Sequence, residues 1–162
     1  MNKVYGLLAD FSYTREDRTR IVVSYNLIPL EDGVHATWCE IYFYKKLTPN
    51  PSFEQIKDAI LQDIDDTVKT QIIEDVVWNG HNVWLSLENQ SNYKNALDIA
   101  TRTGGSNLPY KVRFGSVDEP EYHEFETVSE LESFWCDCSN HIVSKLNAGW
   151  ALKDSIDWTK YK

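Results

Sequence analysis

Two short β-prone runs, Val76-Val77-Trp78 and Val83-Trp84-Leu85, stand on either side of Asn79-Gly80, and Ser86 follows at once. Asn-Gly between apolar runs is a strong hairpin signal, because the favoured two-residue turn needs positive φ at both central positions. Ser86 then offers a side-chain oxygen to cap the start of a helix. A hairpin feeding directly into a helix is therefore fixed at this point. The rest of the chain repeats the same rhythm.

Residues 4–8 read as a first strand and residues 14–20 as a charged loop. Residues 20–28 and 34–44 form a hairpin about Glu31-Asp32-Gly33. In the return strand, alternation places Trp38, Tyr42 and Tyr44 on one face and Ile41 and Phe43 on the other. Both faces carry large apolar groups, so both need cover. Residues 45–51 are a linker whose two prolines disfavour helix. Ser52 and Gln55 then make a capping box, and Phe53, Ile56, Ala59, Ile60 and Ile64 follow helical spacing.

Residues 72–78 and 83–85 are the strands of the second hairpin. The helix after Ser86 carries the stripe Leu87, Tyr93, Ala96, Leu97 and Ala100, and Gly104-Gly105 ends it. A third hairpin pairs residues 108–115 with 122–126 across an acidic loop. Thr127 and Glu130 open a third helix with the stripe Leu131, Phe134, Trp135, Cys138 and Ile142, which Gly149 is expected to stop. Trp158 and Tyr161 are placed to dock the tail. The fold class is α+β: antiparallel β-hairpins alternating with three main helices, packed on one face of the sheet. Residues 1–48 form an N-terminal hairpin region and residues 49–162 an α+β domain.

With 162 residues the chain can bury a core without disulfides or metal. A net charge of -9 disfavours nucleic-acid binding, which needs clustered Lys and Arg. Arg15, Arg18 and Arg20 are interleaved with Glu16 and Asp17, which reads as a solvated loop. Three cysteines give no disulfide framework. The apolar run near Met1 is too short for a signal peptide, and no stretch approaches membrane-spanning length. Production in a reducing cytoplasm is expected.

No motif carries catalysis. Cys136 and Cys138 point to nearly opposite sides of a helix, which leaves Cys138 and His141 as two ligands and no metal site. Cys138 beside His141 lacks the oriented third group of a thiol nucleophile. Gly104-Gly105-Ser106-Asn107 ends a helix where a phosphate loop would begin one. Glu124 and Glu126 share a strand face, as an acidic surface strand does without chemistry. No cofactor is implied. The six tryptophans mainly fill core, with one or two left for a recognition surface. Candidates for an interface are Trp38, Tyr42 and Tyr44 on the first hairpin, and Trp78, His81 and Trp84 about the Asn79-Gly80 turn.

Three segments carry a family resemblance. They are the Ile56-to-Ile60 helix, the run Val83-Trp84-Leu85-Ser86-Leu87-Glu88-Asn89-Gln90 with Tyr93 and Ala96, and the last helix. That helix supplies His141, Lys145 and Leu146 and leads into Leu152-Lys153-Asp154-Ser155-Ile156. From about residue 52 to 158 the chain resembles a domain of unknown function in bacteriophage and prophage proteins, several encoded near tail-fibre or tail-assembly genes. The resemblance implies a structural, assembly or virion-accessory role, with no enzyme activity and no defined site. The partner would be a second copy of the chain or another phage structural protein, in the host cytoplasm or the virion. The alternative is a small glycan- or ligand-binding module that uses Trp78, Trp84 or Trp150 as stacking platforms. An enzyme of small substrates has least support.

Overall fold

The computed structural model describes residues 1–115 and 118–162. It has three helices and eight strands in antiparallel sheets, an α+β fold. In chain order these are β1 (Asn2–Leu7), β2 (Thr14–Glu16), β3 (Arg20–Pro29), β4 (His35–Tyr44), α1 (Phe53–Glu74), β5 (Val76–Trp78), β6 (His81–Val83), α2 (Leu87–Thr103), β7 (Tyr110–Gly115), β8 (Pro120–Phe125) and α3 (Val128–Asp154). A 3-10 turn at Trp158–Tyr161 follows. Of the acidic loop between β7 and β8, Ser116 and Val117 lie outside the described residues.

The chain divides into two compact units, residues 1–67 with 149–162 and residues 68–148. The division therefore does not follow the linker at residues 45–51. The first hairpin, the start of α1 and the tail form one body because they bond to one another. The Tyr25 hydroxyl donates to Asp63 Oδ2 at 2.6 Å. Tyr161, from the tail, donates to the Ser24 carbonyl at 2.9 Å, and Trp158 packs edge-on against Phe53.

In the first unit the strands run β1-β4-β3-β2, all antiparallel. The hairpin expected from sequence is thus the centre of a four-stranded sheet. Residues 14–16, expected as loop, form β2. Their pairing with β3 and the ion pair of Arg15 with Glu40 make this strand; local propensity does not. Ser52 and Gln55 cap α1 reciprocally: the Ser52 N–H donates to Gln55 Oε1 at 2.9 Å, and the Gln55 N–H to Ser52 Oγ at 3.3 Å.

In the second unit, Asn79 and Gly80 both adopt positive φ, 48° and 83°. This is the turn that matches strand twist, and Gly80 enters that region without a Cβ penalty. Ser86 Oγ accepts the Asn89 N–H at 3.2 Å and starts α2. Gly104, at the left-handed C-cap, donates its N–H to the Ala100 carbonyl. Strand alternation turns Val76, Trp78, Val83, Val112, Phe114 and Phe125 inward, onto Tyr93, Leu97, Leu131, Phe134 and Cys138 of the helices. Burying each large apolar side chain contributes about 1.5–3 kcal/mol. Both helices therefore cover one face of these strands, and Val77, Lys111, Arg113 and Tyr122 remain on the exposed face.

Three local expectations change. Helix α1 continues through Ile72 and Ile73, which were expected in a strand. There the Ile73 carbonyl accepts the Leu85 N–H at 2.9 Å, and Lys145 pairs with Asp75 just past the helix end. Leu87 is exposed, since it sits in the first turn, off the buried stripe. Gly149 does not stop α3; it is buried inside the helix. A helical glycine costs about 1 kcal/mol against alanine, and the next turn is held by Lys153 to Asp65 at 2.5 Å.

Candidate functional site: a groove beside β7

The period-2 alternation of β5 and β6 runs on through Leu85. Trp78, Val83 and Leu85 point inward, and Trp84, between the last two, is forced outward. Its indole is 55 % exposed. Asn89 donates its side-chain N–H to the Trp84 carbonyl at 2.7 Å, which fixes the turn from strand into helix. A groove of about 650 Å³ opens beside it, lined by Trp84, by Asn89, Asn92 and Tyr93 of α2, and by β7 from Tyr110 to Gly115.

Tyr93 lies at the floor. It is 4 % exposed, and its ring packs edge-on against Phe134 at 5.0 Å. Burial pushes its phenol up to about 12, with Tyr110 and Cys138 adding to the effect, and no hydrogen bond to the hydroxyl contributes. The fully enclosed orphan side-chain atoms among the described residues are Ser24 Oγ and Asn107 Oδ1. The Tyr93 hydroxyl is not one of them, and Tyr93 is among the residues that line the groove. Burial also raises the Tyr110 phenol. On the outer face of β7, Lys111 is paired with Glu124 at 3.0 Å and its ammonium lies 5.2 Å from the centre of the Tyr122 ring. Arg113 is likewise engaged.

The sequence candidates are distributed unevenly about this groove. Trp84 forms its wall. Trp78 does not reach the surface: it is buried among Phe125, Phe134 and His123, at ring separations of 5.3, 5.2 and 5.0 Å. His81 stacks on Phe114, with Nδ1 2.5 Å from Glu121 Oε2. His123 Nε2 lies 2.8 Å from Glu130 Oε1. Each imidazole thus has an orienting carboxylate, yet among the described residues no hydroxyl or thiol bonds to either ring. Nucleophilic catalysis needs that third group.

On the first hairpin, Trp38 and Tyr42 are committed to a buried carboxylate. The Trp38 indole N–H donates to Glu40 Oε1 at 2.9 Å, Arg15 Nη2 to the same oxygen at 2.9 Å, and the Tyr42 hydroxyl to Glu40 Oε2 at 3.0 Å. Burial pushes the Glu40 carboxyl up, but these three donors outweigh it and hold the group below its ordinary value. Phe11 covers Trp38 edge-on at 5.8 Å. Trp38 is therefore a core residue, not an interface one, and Tyr42 is half-buried; Tyr44 alone of the three is exposed.

On α3, Cys136 is exposed, Cys138 is buried, and His141 Nε2 lies 3.0 Å from the Gln71 carbonyl. The described residues contain no group of three or more side chains able to hold a metal ion. No described helix is long and apolar enough to cross a membrane. Sequence reasoning missed Tyr93 and Tyr110 as groove residues. Helical spacing places Tyr93 on an apolar stripe, and the signal for a groove is its hydroxyl, which a buried tyrosine must place somewhere. No family model matches the chain, and no curated protein or solved structure matches it either.

Proposed function

We propose that this chain is a non-catalytic protein of a bacteriophage, acting in the particle or its assembly by protein–protein contact. The phage context rests on the resemblance over residues 52–158. The contact function is supported by one observation in the first unit. Cross-strand partners Tyr5, Thr37 and Ile28 lie side by side, and Leu7 and His35 are the next pair on the same face. Tyr5 is 64 % exposed, stacked on His35, and Leu7, Ile28 and neighbouring Val34 are exposed with it. Among the described residues the outer edge of β1 has no ladder partner, since β1 is terminal in its sheet. An apolar sheet end beside an open edge is a surface that associates.

Sedimentation of the purified protein across a concentration series tests this. A mass that is a multiple of the 18.8 kDa chain is expected, reduced to one chain by Leu7→Lys combined with Ile28→Glu. If a phage structural protein is the partner instead, it should co-purify from infected cells with the unaltered chain and not with the double variant. A strictly monomeric protein that retains no such partner would contradict the function.

A further inference from the structure

The groove of the second unit has features that a protein-contact surface does not require. Its floor holds a phenol, Tyr93, that is 4 % exposed and has no hydrogen-bond partner among the described residues. The hydroxyl is not among the enclosed orphan atoms, so water serves it in the free protein, and a ligand oxygen or nitrogen would take that water's place. Tyr110 brings a second phenol to the same space, and Asn92 an exposed amide. Trp84 supplies a flat indole, half open to solvent, at the wall. The volume lies within the range of about 300–1,000 Å³ usual for small-molecule sites.

We propose that this groove binds a neutral saccharide unit, with Trp84 as the stacking platform and the Tyr93 and Tyr110 hydroxyls and the Asn92 amide as polar contacts. A sugar ring offers a face of C–H groups to an indole and a rim of hydroxyls that both donate and accept. Phenols and amides do the same, so each partner is satisfied in kind. Neutrality follows from the charges present. Lys111 already serves Glu124, and Arg113 is engaged as well. The chain carries a net charge of -9, which opposes an acidic ligand. The groove belongs to the second unit and the apolar sheet end to the first, and they share no residue, so either can fail without the other.

Saturation-transfer NMR on the full chain tests the site, using glucose, galactose, N-acetylglucosamine, lactose and cellobiose at millimolar concentration as probes. Transfer to ring protons of at least one sugar is expected. Trp84→Ala should weaken binding about tenfold or more, and Tyr93→Phe roughly two- to tenfold. Tyr93→Phe keeps the ring that packs on Phe134, so loss of binding there reports the hydroxyl and not the fold. Leu47→Ala removes an exposed apolar side chain that does not line the groove and should leave transfer unchanged. No transfer to any of the five sugars would overturn the assignment, as would transfer indifferent to Trp84→Ala and Tyr93→Phe. Saturation of an alternating threonine–valine hexapeptide in place of the sugars, lost in Trp84→Ala, would give the groove to an extended peptide and also overturn it.

Discussion

The Trp38 ring lies against the α-carbon of Gly6 so closely that a Cβ at position 6 would stand 2.7 Å from Trp38 Cη2. Gly6 faces Ala36 across the β1–β4 ladder, which leaves the ring of Trp38 room to lie over β1. The ring cannot swing away freely, because its indole N–H is bonded to Glu40 and its edge packs on Phe11. Gly6→Ala should therefore destabilise the first unit by about 1–3 kcal/mol, the usual range for overpacking. Urea unfolding of the variant against the parent measures this; an unchanged midpoint would show that the sheet yields.

Glu40 makes acid stability a test of the same face. Its folded carboxyl lies below the ordinary value of 4.5. The unfolded chain therefore binds the proton more readily, so this stabilisation is fully present above about 4.5 and is lost as pH falls through the lowered folded value. Glu40→Gln should flatten that limb of the stability–pH curve and cost about 1–3 kcal/mol at neutral pH, where Arg15 loses its anion. Equal slopes for parent and variant would contradict the network.

Two turn carboxylates should titrate far below their neighbours. The Thr19 backbone N–H and the Arg20 side chain and N–H hold Asp17 at about 2. The His35 N–H and ring, with the Val34 N–H, hold Asp32 at about 2. Carboxyl-carbon NMR titration should show both charged when ordinary aspartates, near 3.8, are already protonated. A midpoint at 3.8 for either would mean that its turn is open in solution.

The cysteines should separate by accessibility. Cys136 is exposed, and Cys39 and Cys138 are buried. Burial pushes the Cys138 thiol up to about 12, with Asp137 adding to it. Its contribution to stability is therefore present below about 9 and lost as pH rises toward 12. Mass spectrometry after native iodoacetamide treatment should find Cys136 alkylated and the other two only after unfolding. Native modification of Cys138 would place α3 in a different rotation.

Core depth along α3 can be graded in the same way. Leu131 and Phe134 are enclosed, whereas Trp135 and Ile142 are partly buried against the same cluster. Leu131→Ala should cost about 2–5 kcal/mol and Ile142→Ala less, because solvent already reaches its site. Equal losses in chemical denaturation would contradict that order.

The elements that sequence alone determined are those built from contacts within a few residues. Asn79-Gly80 turns the chain by its own φ preference, and Ser52, Ser86 and Thr127 cap the three helices with side-chain oxygens three residues from their donors. The stripe of Leu131, Phe134 and Cys138 was legible for the same reason, since helical period alone aligns it. Tertiary structure decided what depends on distant partners. Residues 14–16 become a strand because β3 and Glu40 receive them. Helix α3 runs through Gly149 to Asp154, and its last turn meets Asp65 through Lys153, 88 residues away, a contact that helical spacing does not show. The tryptophans show the divide most clearly. The sequence favours both Trp78 and Trp84 packing inward; the β5–β6 register instead sets Trp78 on the face of Val83 and Trp84 on the other, where Phe125 and Phe134 bury the first and the second is left in the groove beside Tyr93. Spacing fixes which residues share a side; which side is covered is set by what the folded chain lays across it.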